Sequence, residues 1–101
     1  MKAKIRFHQK LTLVHENTFE VALAELKVLE VPKSSHYPDG IKYSLFLVLK
    51  ESGDVLIGFD NHKPKGPHLH FHGEEEPYSF EGEEKLVEDF WDLVRKEGFS
   101  P

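Results

Sequence analysis

From Ala3 to Leu13 the chain alternates: Ala3, Ile5, Phe7, Leu11 and Leu13 are apolar, while Lys2, Lys4, Arg6, His8 and Lys10 are basic. An extended strand sorts such a sequence into one buried and one wet side, because successive side chains point opposite ways. The opening segment therefore commits the chain to a β-sheet. At 101 residues that sheet belongs to a single domain spanning the whole chain, large enough to bury a core without metal or disulfide.

Glu16 and Asn17 supply a turn, and Phe19 to Val31 reads as a second strand, although Ala22, Leu23, Leu26 and Leu29 would also suit a helix. The turn-rich stretch Pro32 to Gly40 ends it, and Ile41 to Lys50 resumes with β-branched and aromatic residues. Ser52-Gly53 marks a tight hairpin into Val55 to Phe59, a loop with two prolines follows from Asn61 to Pro67, and His68 to His72 forms a short last strand. The C-terminal segment changes period. Leu86, Phe90, Leu93 and Val94 lie on one helical face, with Glu83 and Glu84 at the start, Arg95 and Lys96 in the last turn and Gly98 just beyond. The expected fold is thus α+β: an antiparallel sheet of about five strands with one C-terminal helix, Gly82 or Glu83 to about Glu97, packed across it.

Charge divides along the chain. Residues 1 to 50 carry eight Lys or Arg against five Asp or Glu, and residues 51 to 101 carry five against thirteen. The basic half suits an anion and the acidic half a basic partner, although charge runs are more often plain solvated faces. Cysteine is absent, which excludes a disulfide framework and thiolate metal sites and fits a reducing compartment. The start lacks a continuous apolar segment, and nowhere do about 18 apolar residues follow one another. A cytoplasmic location without membrane contact is the expectation. One Gln and two Asn beside 31% charged residues resemble the composition of heat-adapted proteins.

Chemistry concentrates near residue 70. Four of the seven histidines are His62, His68, His70 and His72, and the last three alternate with Leu69 and Phe71. On a strand, those three share a face while Leu69 and Phe71 enter the core. His68 and His72 would stand about 13 Å apart, too far to share one metal ion, so two neighbours with Asp60, His62 or Glu74 would be needed. The alternative is acid–base work. Imidazole can accept or donate a proton near neutrality, as RNA transesterification requires of two groups. Phosphate contacts would come from Lys2, Lys4, Arg6 and Lys10 on the first strand and from Lys63 and Lys65 beside the histidines. Against both readings stands an ordinary wet face with packing histidines. Asp60-Asn61 could orient a histidine or simply close a turn, and Tyr43 and Tyr78 could donate protons or stack on bases, or pack in the core. Glu74-Glu75-Glu76 reads as a solvated corner.

Lys42-Tyr43-Ser44-Leu45, Gly58-Phe59-Asp60-Asn61, Gly66-Pro67-His68-Leu69-His70 and Glu75-Glu76-Pro77-Tyr78-Ser79-Phe80, ahead of an acidic helix ending near Arg95, resemble the TumE-type toxin family of bacterial and archaeal toxin–antitoxin systems. The similarity covers roughly residues 40 to 96 well and the first strands loosely. It implies a small α+β toxin encoded beside a helix-turn-helix antitoxin, with growth inhibition exerted on RNA or translation. Asp60, Asn61, His68 and His70 match the polar core of the family motif, and Tyr43 and Tyr78 its aromatics. Phe59 stands where a tyrosine is expected and Leu69 where relatives carry arginine, a charge that Lys63 and Lys65 could replace.

The combined expectation is the toxin component of a type II system: a metal-independent endoribonuclease without cofactor. Its catalytic candidates are His68, His70, Asp60 and Tyr43. Its expected partners are RNA and a helix-turn-helix antitoxin, with a homodimer also open. The competing readings are a non-catalytic RNA- or protein-binding regulator and a histidine-metal hydrolase.

Overall fold

The computed structural model describes residues 3 to 62 and 65 to 101. Seven strands and one helix follow one another: β1 (Lys4–His15), β2 (Val21–Glu30), β3 (Ile41–Leu49), β4 (Val55–Asp60), β5 (His68–Phe71), β6 (Glu74–Pro77), α1 (Glu83–Lys96) and β7 (Phe99–Ser100). The strands form one antiparallel sheet in the order β6-β5-β4-β3-β2-β1-β7. Six strands meander, and α1 then carries the chain back across the sheet so that β7 can pair with the far edge at Val14 and His15.

The α+β expectation holds, and so does the reading of residues 21 to 30 as a strand; the strand count does not. β6 reads Glu-Glu-Glu-Pro with all four residues exposed, so it lacks the apolar alternation that marks a strand with a buried face. β7 has only two residues. β6 is held by backbone pairing at the sheet edge, and β7 by backbone pairing together with the burial of Phe99, too short a run for alternation to show.

Even positions of β2 (Ala22, Ala24, Leu26, Val28) and odd positions of β3 and β4 (Tyr43, Leu45, Leu47, Ile57, Phe59) face α1, whose Leu86, Phe90 and Val94 complete the core. The periods of two and 3.6 thus meet in one layer, and the other face of the sheet is left without a helix. α1 begins with Glu83 and Glu84 and ends with Arg95 and Lys96, each sign at the end of the helix dipole that favours it. Gly98, at φ 88°, then turns the chain into β7. A Cβ there would lie 2.7 Å from the His15 ring, so the position suits glycine on two counts.

The basic stripe of β1 does not survive folding. Ile5 pairs with Leu29 but Phe7 pairs with Val28, so Arg6 is the extra residue of a β-bulge. Lys4, opposite Glu30, and Arg6, bonded to Glu83 and Glu30, lie toward the helix side. His8 and Lys10, opposite Lys27 and Glu25, lie on the other face. No helix among the described residues is long and apolar enough to cross a membrane.

Candidate functional site

Asp60 closes β4 directly opposite His68, the first residue of β5, and Gly58 stands opposite His70. Asp60 is also opposite Ser44 of β3. The register therefore places one carboxylate and two imidazoles on the helix-free face, while Leu69 is turned toward the core. Asn61 fixes the end of β4. Its side chain accepts a hydrogen bond from the Tyr43 N–H at 2.9 Å and donates one to the Ile41 carbonyl at 2.8 Å. It is buried, and its amide satisfies backbone groups that the ladder no longer reaches.

His68 is 8% exposed. Its Nδ1 lies 2.7 Å from the Gly66 carbonyl oxygen, which can only accept, so Nδ1 carries the proton. Nε2 then lies 3.2 Å from Asp60 Oδ1. Nitrogen and carboxylate thus offer two acceptors across that distance, between which a proton donor or a cation could sit. His70 Nε2 is 3.9 Å from the other Asp60 oxygen, and its Nδ1 is 3.7 Å from Glu75 Oε2. Its ring meets that of His68 edge-on, 4.7 Å between centroids. Both imidazoles therefore present Nε2 to one carboxylate and Nδ1 toward an outer oxygen, the arrangement that sets tautomer and ring direction in acid–base pairs and metal sites alike. One donor atom from each of Asp60, His68 and His70 lies within 4.8 Å of the others. The 3.2 Å edge is close to what two ligands at about 2.0–2.2 Å from a tetrahedral ion subtend.

The remaining candidates separate from this trio. Tyr43 is 2% exposed and faces the core, stacked on Phe80 at 5.2 Å, so the sheet stands between its hydroxyl and the histidines. Burial, and then the Asp60 charge, push its ionisation well above the usual phenol range, and its hydroxyl has no hydrogen-bond partner among the described residues. A catalytic proton transfer by Tyr43 is therefore set aside. Tyr78 donates to Asp89 Oδ2 at 2.6 Å and packs edge-on against Phe59 at 4.9 Å. His72 leaves the strand: it and Gly73 have φ of 49° and 83°, as a two-residue hairpin turn requires, and its Nε2 meets Glu97 at 2.6 Å, beyond the end of α1. His62 is exposed, its N–H donating to Asp60 Oδ1 at 3.1 Å.

The expected phosphate contacts are dispersed. Arg6 is taken up by Glu83 and Glu30, Lys10 lies 3.8 Å from Glu25, and Lys65 donates to Glu75 at 2.7 and 3.0 Å. That bond from Lys65 holds the Glu75 carboxyl below its ordinary range. Lys4 is exposed but lies on β1, separated from β4 by β2 and β3. Lys2 and Lys63 lie outside the described residues. Glu75 is a neighbour that local reading of the sequence missed. The hairpin signal was present in His72-Gly73, because a two-residue turn there makes Glu75 the partner of His70.

A larger groove, about 760 Å³, lies elsewhere, between the start of β1 and the first turns of α1, with Phe7, Val28 and Val87 beside Glu30, Glu84 and Glu88. Its lining holds carboxylates but no imidazole, whereas the groove of about 330 Å³ beside Lys65, His68 and Glu75 reaches one imidazole of the trio and the carboxylate that faces the other. Geometry and chemistry therefore favour the smaller depression.

Comparison with known protein families finds one family model, described as Toxin TumE, matching residues 3 to 97. The match takes in the first strands as well as the segment from 40 to 96 that carries the motifs. No curated protein and no solved structure matches the chain.

Proposed function

The chain belongs to the TumE toxin family, and from that membership we propose that it acts as an endoribonuclease centred on Asp60, His68 and His70. The observation that carries this reading is the Asp60 carboxylate set against two imidazoles, at 3.2 and 3.9 Å. Cleavage by transesterification removes the proton of a ribose 2′-hydroxyl as its oxygen attacks the adjacent phosphorus, and returns a proton to the departing 5′-oxygen. His70, the more exposed ring, exchanges a proton with the substrate on one side of the phosphate. His68, fixed by Gly66 and Asp60, serves the other. Asp60 orients both and balances the positive charge that one of them carries. No step needs a metal ion, and the products end in a 2′,3′-cyclic phosphate and a free 5′-hydroxyl.

A histidine-metal hydrolase is the second reading, favoured by the proximity of the same three donors. One experiment separates the two. Purified protein is incubated with total RNA over about pH 5 to 9, with and without chelator and with added zinc or manganese. Cleavage that persists in chelator and is lost in His70→Ala supports acid–base chemistry; cleavage abolished by chelator and restored by metal supports the hydrolase. Absence of cleavage under every condition leaves a non-catalytic regulator.

The partner proposed is a helix-turn-helix antitoxin, its basic residues meeting the acidic C-terminal half. β6 offers Glu74 and Glu76 at the sheet edge, and opposite charge there would steer and orient the encounter. Glu74→Lys with Glu76→Lys should weaken antitoxin binding more than RNA binding, measured with the purified proteins; equal loss of both would refute that division.

A further inference from the structure

We propose that the helix-free face of the sheet is a track for single-stranded RNA, with Phe46 as the platform on which a base next to the scissile phosphate stacks. The proposal rests on the RNA-directed reading of the Asp60–His68–His70 site and names how substrate reaches it. Phe46 of β3 is opposite Gly58 of β4, and Gly58 is opposite His70. A Cβ at position 58 would stand 2.4 Å from Phe46 Cε1 and 2.7 Å from Cδ1. The glycine thus lets the ring settle over the backbone between the two strands, in the direction of His70. The Phe46 and His70 rings end 6.4 Å apart with planes inclined by only 31°, neighbours on one floor. A half-buried phenyl ring beside proton-transfer groups is what base stacking uses, and stacking tolerates any sequence because every base has a π-face.

Cations lie along the same face. Lys27 is opposite Ser44, Ser44 opposite Asp60, and Asp60 opposite His68, so one row leads from the histidines across three strand spacings, about 14 Å. Lys42 lies two residues before Ser44 on β3. Neither Lys27 nor Lys42 has an ion-pair partner among the described residues, unlike Arg6, Lys10 and Lys65. A depression of about 270 Å³ lined by Lys27, Leu29, Lys42, Tyr43 and Ser44 runs between them. Phosphates following this row meet the ammonium groups of Lys27 and of Lys42, the latter held 6.0 Å over the Tyr37 ring with no carboxylate to displace, while a base occupies Phe46. The cations position the strand and the ring selects an unpaired base, since a stacked duplex offers none.

The test measures binding without turnover. A fluorescein-labelled single-stranded RNA of mixed sequence, 2′-fluoro-substituted so that it lacks the attacking hydroxyl, is titrated by anisotropy against wild type, Phe46→Leu, Phe46→Trp and Lys27→Ala/Lys42→Ala. Leucine keeps apolar cover over Gly58 and so protects the fold; tryptophan keeps a stacking surface. Phe46→Leu should weaken binding about 5- to 150-fold, the loss of one stacked base, and Phe46→Trp should restore it. The double lysine variant should flatten the salt dependence. Equal binding by wild type and Phe46→Leu, a duplex bound as tightly as the single strand, or a face that takes up a protein but no RNA would each overturn the proposal. Phe46-dependent binding without any cleavage of natural RNA would leave the platform standing and remove the catalytic reading. Cleavage by wild type with unaltered KM in Phe46→Leu would do the reverse.

Discussion

The side chain of Asn61 holds the Tyr43 N–H at 2.9 Å, extending the β3 ladder one step beyond the last β4 pair at Asp60. Asp60 is aimed at the histidines by a strand end that its own neighbour ties down. Asn61→Ala should leave the Tyr43 N–H and the Ile41 carbonyl without their partner and cost about 1 to 3 kcal/mol, read from urea unfolding. Cleavage should fall as well, because the carboxylate is freed along with the strand end. Full stability with full activity would show that water replaces the amide.

Tyr43→Phe removes a buried hydroxyl that lacks a partner. Loss of an unsatisfied polar group should leave stability unchanged or raise it by about 1 kcal/mol, and cleavage should continue at the wild-type rate. A large loss of cleavage with retained stability would return Tyr43 to the reaction.

Phe90 is fully buried, edge-on to Phe59 at 6.3 Å and to Trp91 at 5.3 Å. Phe90→Ala should cost about 3 to 5 kcal/mol. A melting temperature equal to wild type would place this ring outside the core.

Asp89 gives a prediction in pH. Burial works against its charge, but bonds from Lys85 and Tyr78 outweigh that and hold its carboxyl below the ordinary range. A folded-state pKa lower than the unfolded value contributes stability above the unfolded value, about 3.9, and that contribution is lost as pH falls through the folded one. Asp89→Asn should therefore be less stable than wild type at pH 7, and the gap should close on acidification below about pH 4. A gap independent of pH would mean that the charge contributes nothing.

Alternation, turn residues and the 3.6 period made β1 to β5 and α1 legible, because each of those elements buries one face and writes it into the spacing of its apolar residues. What escaped depends on pairing. The extra residue at Arg6 is invisible to alternation, and it puts Ile5, counted with the buried set, at 66% exposure. β6 has no buried face to advertise. His68, His70 and Asp60 could be nominated from the sequence, since a strand shows His68 and His70 on one side, yet only the β4–β5 register makes Asp60 their neighbour. Phe46 and Gly58 carried no local signal: thirty-two residues of the chain from Lys27 to Gly58 must fold into three registered strands before either means anything. Tyr43 could be read either as a proton donor or as a core aromatic, because its odd position on β3, which faces it to the core, counts only once that strand's inner face is known.

The two borders of the sheet bear on how this protein survives at high concentration. An open strand border is a template on which another chain can add, the first step toward fibrils. Here one border is Glu74 to Pro77, three like charges and a residue with no N–H to offer. The other is β1, interrupted by the bulge at Arg6 and capped at Val14 and His15 by Phe99 and Ser100, which the returning helix brings there, a flap too short to recruit a strand of useful length. Loss of that flap would extend the open border of β1 to Val14 and His15 and take the buried Phe99 out of the core. C-terminal truncation before Phe99 is thus a route to insoluble protein that leaves the Asp60, His68 and His70 side chains untouched.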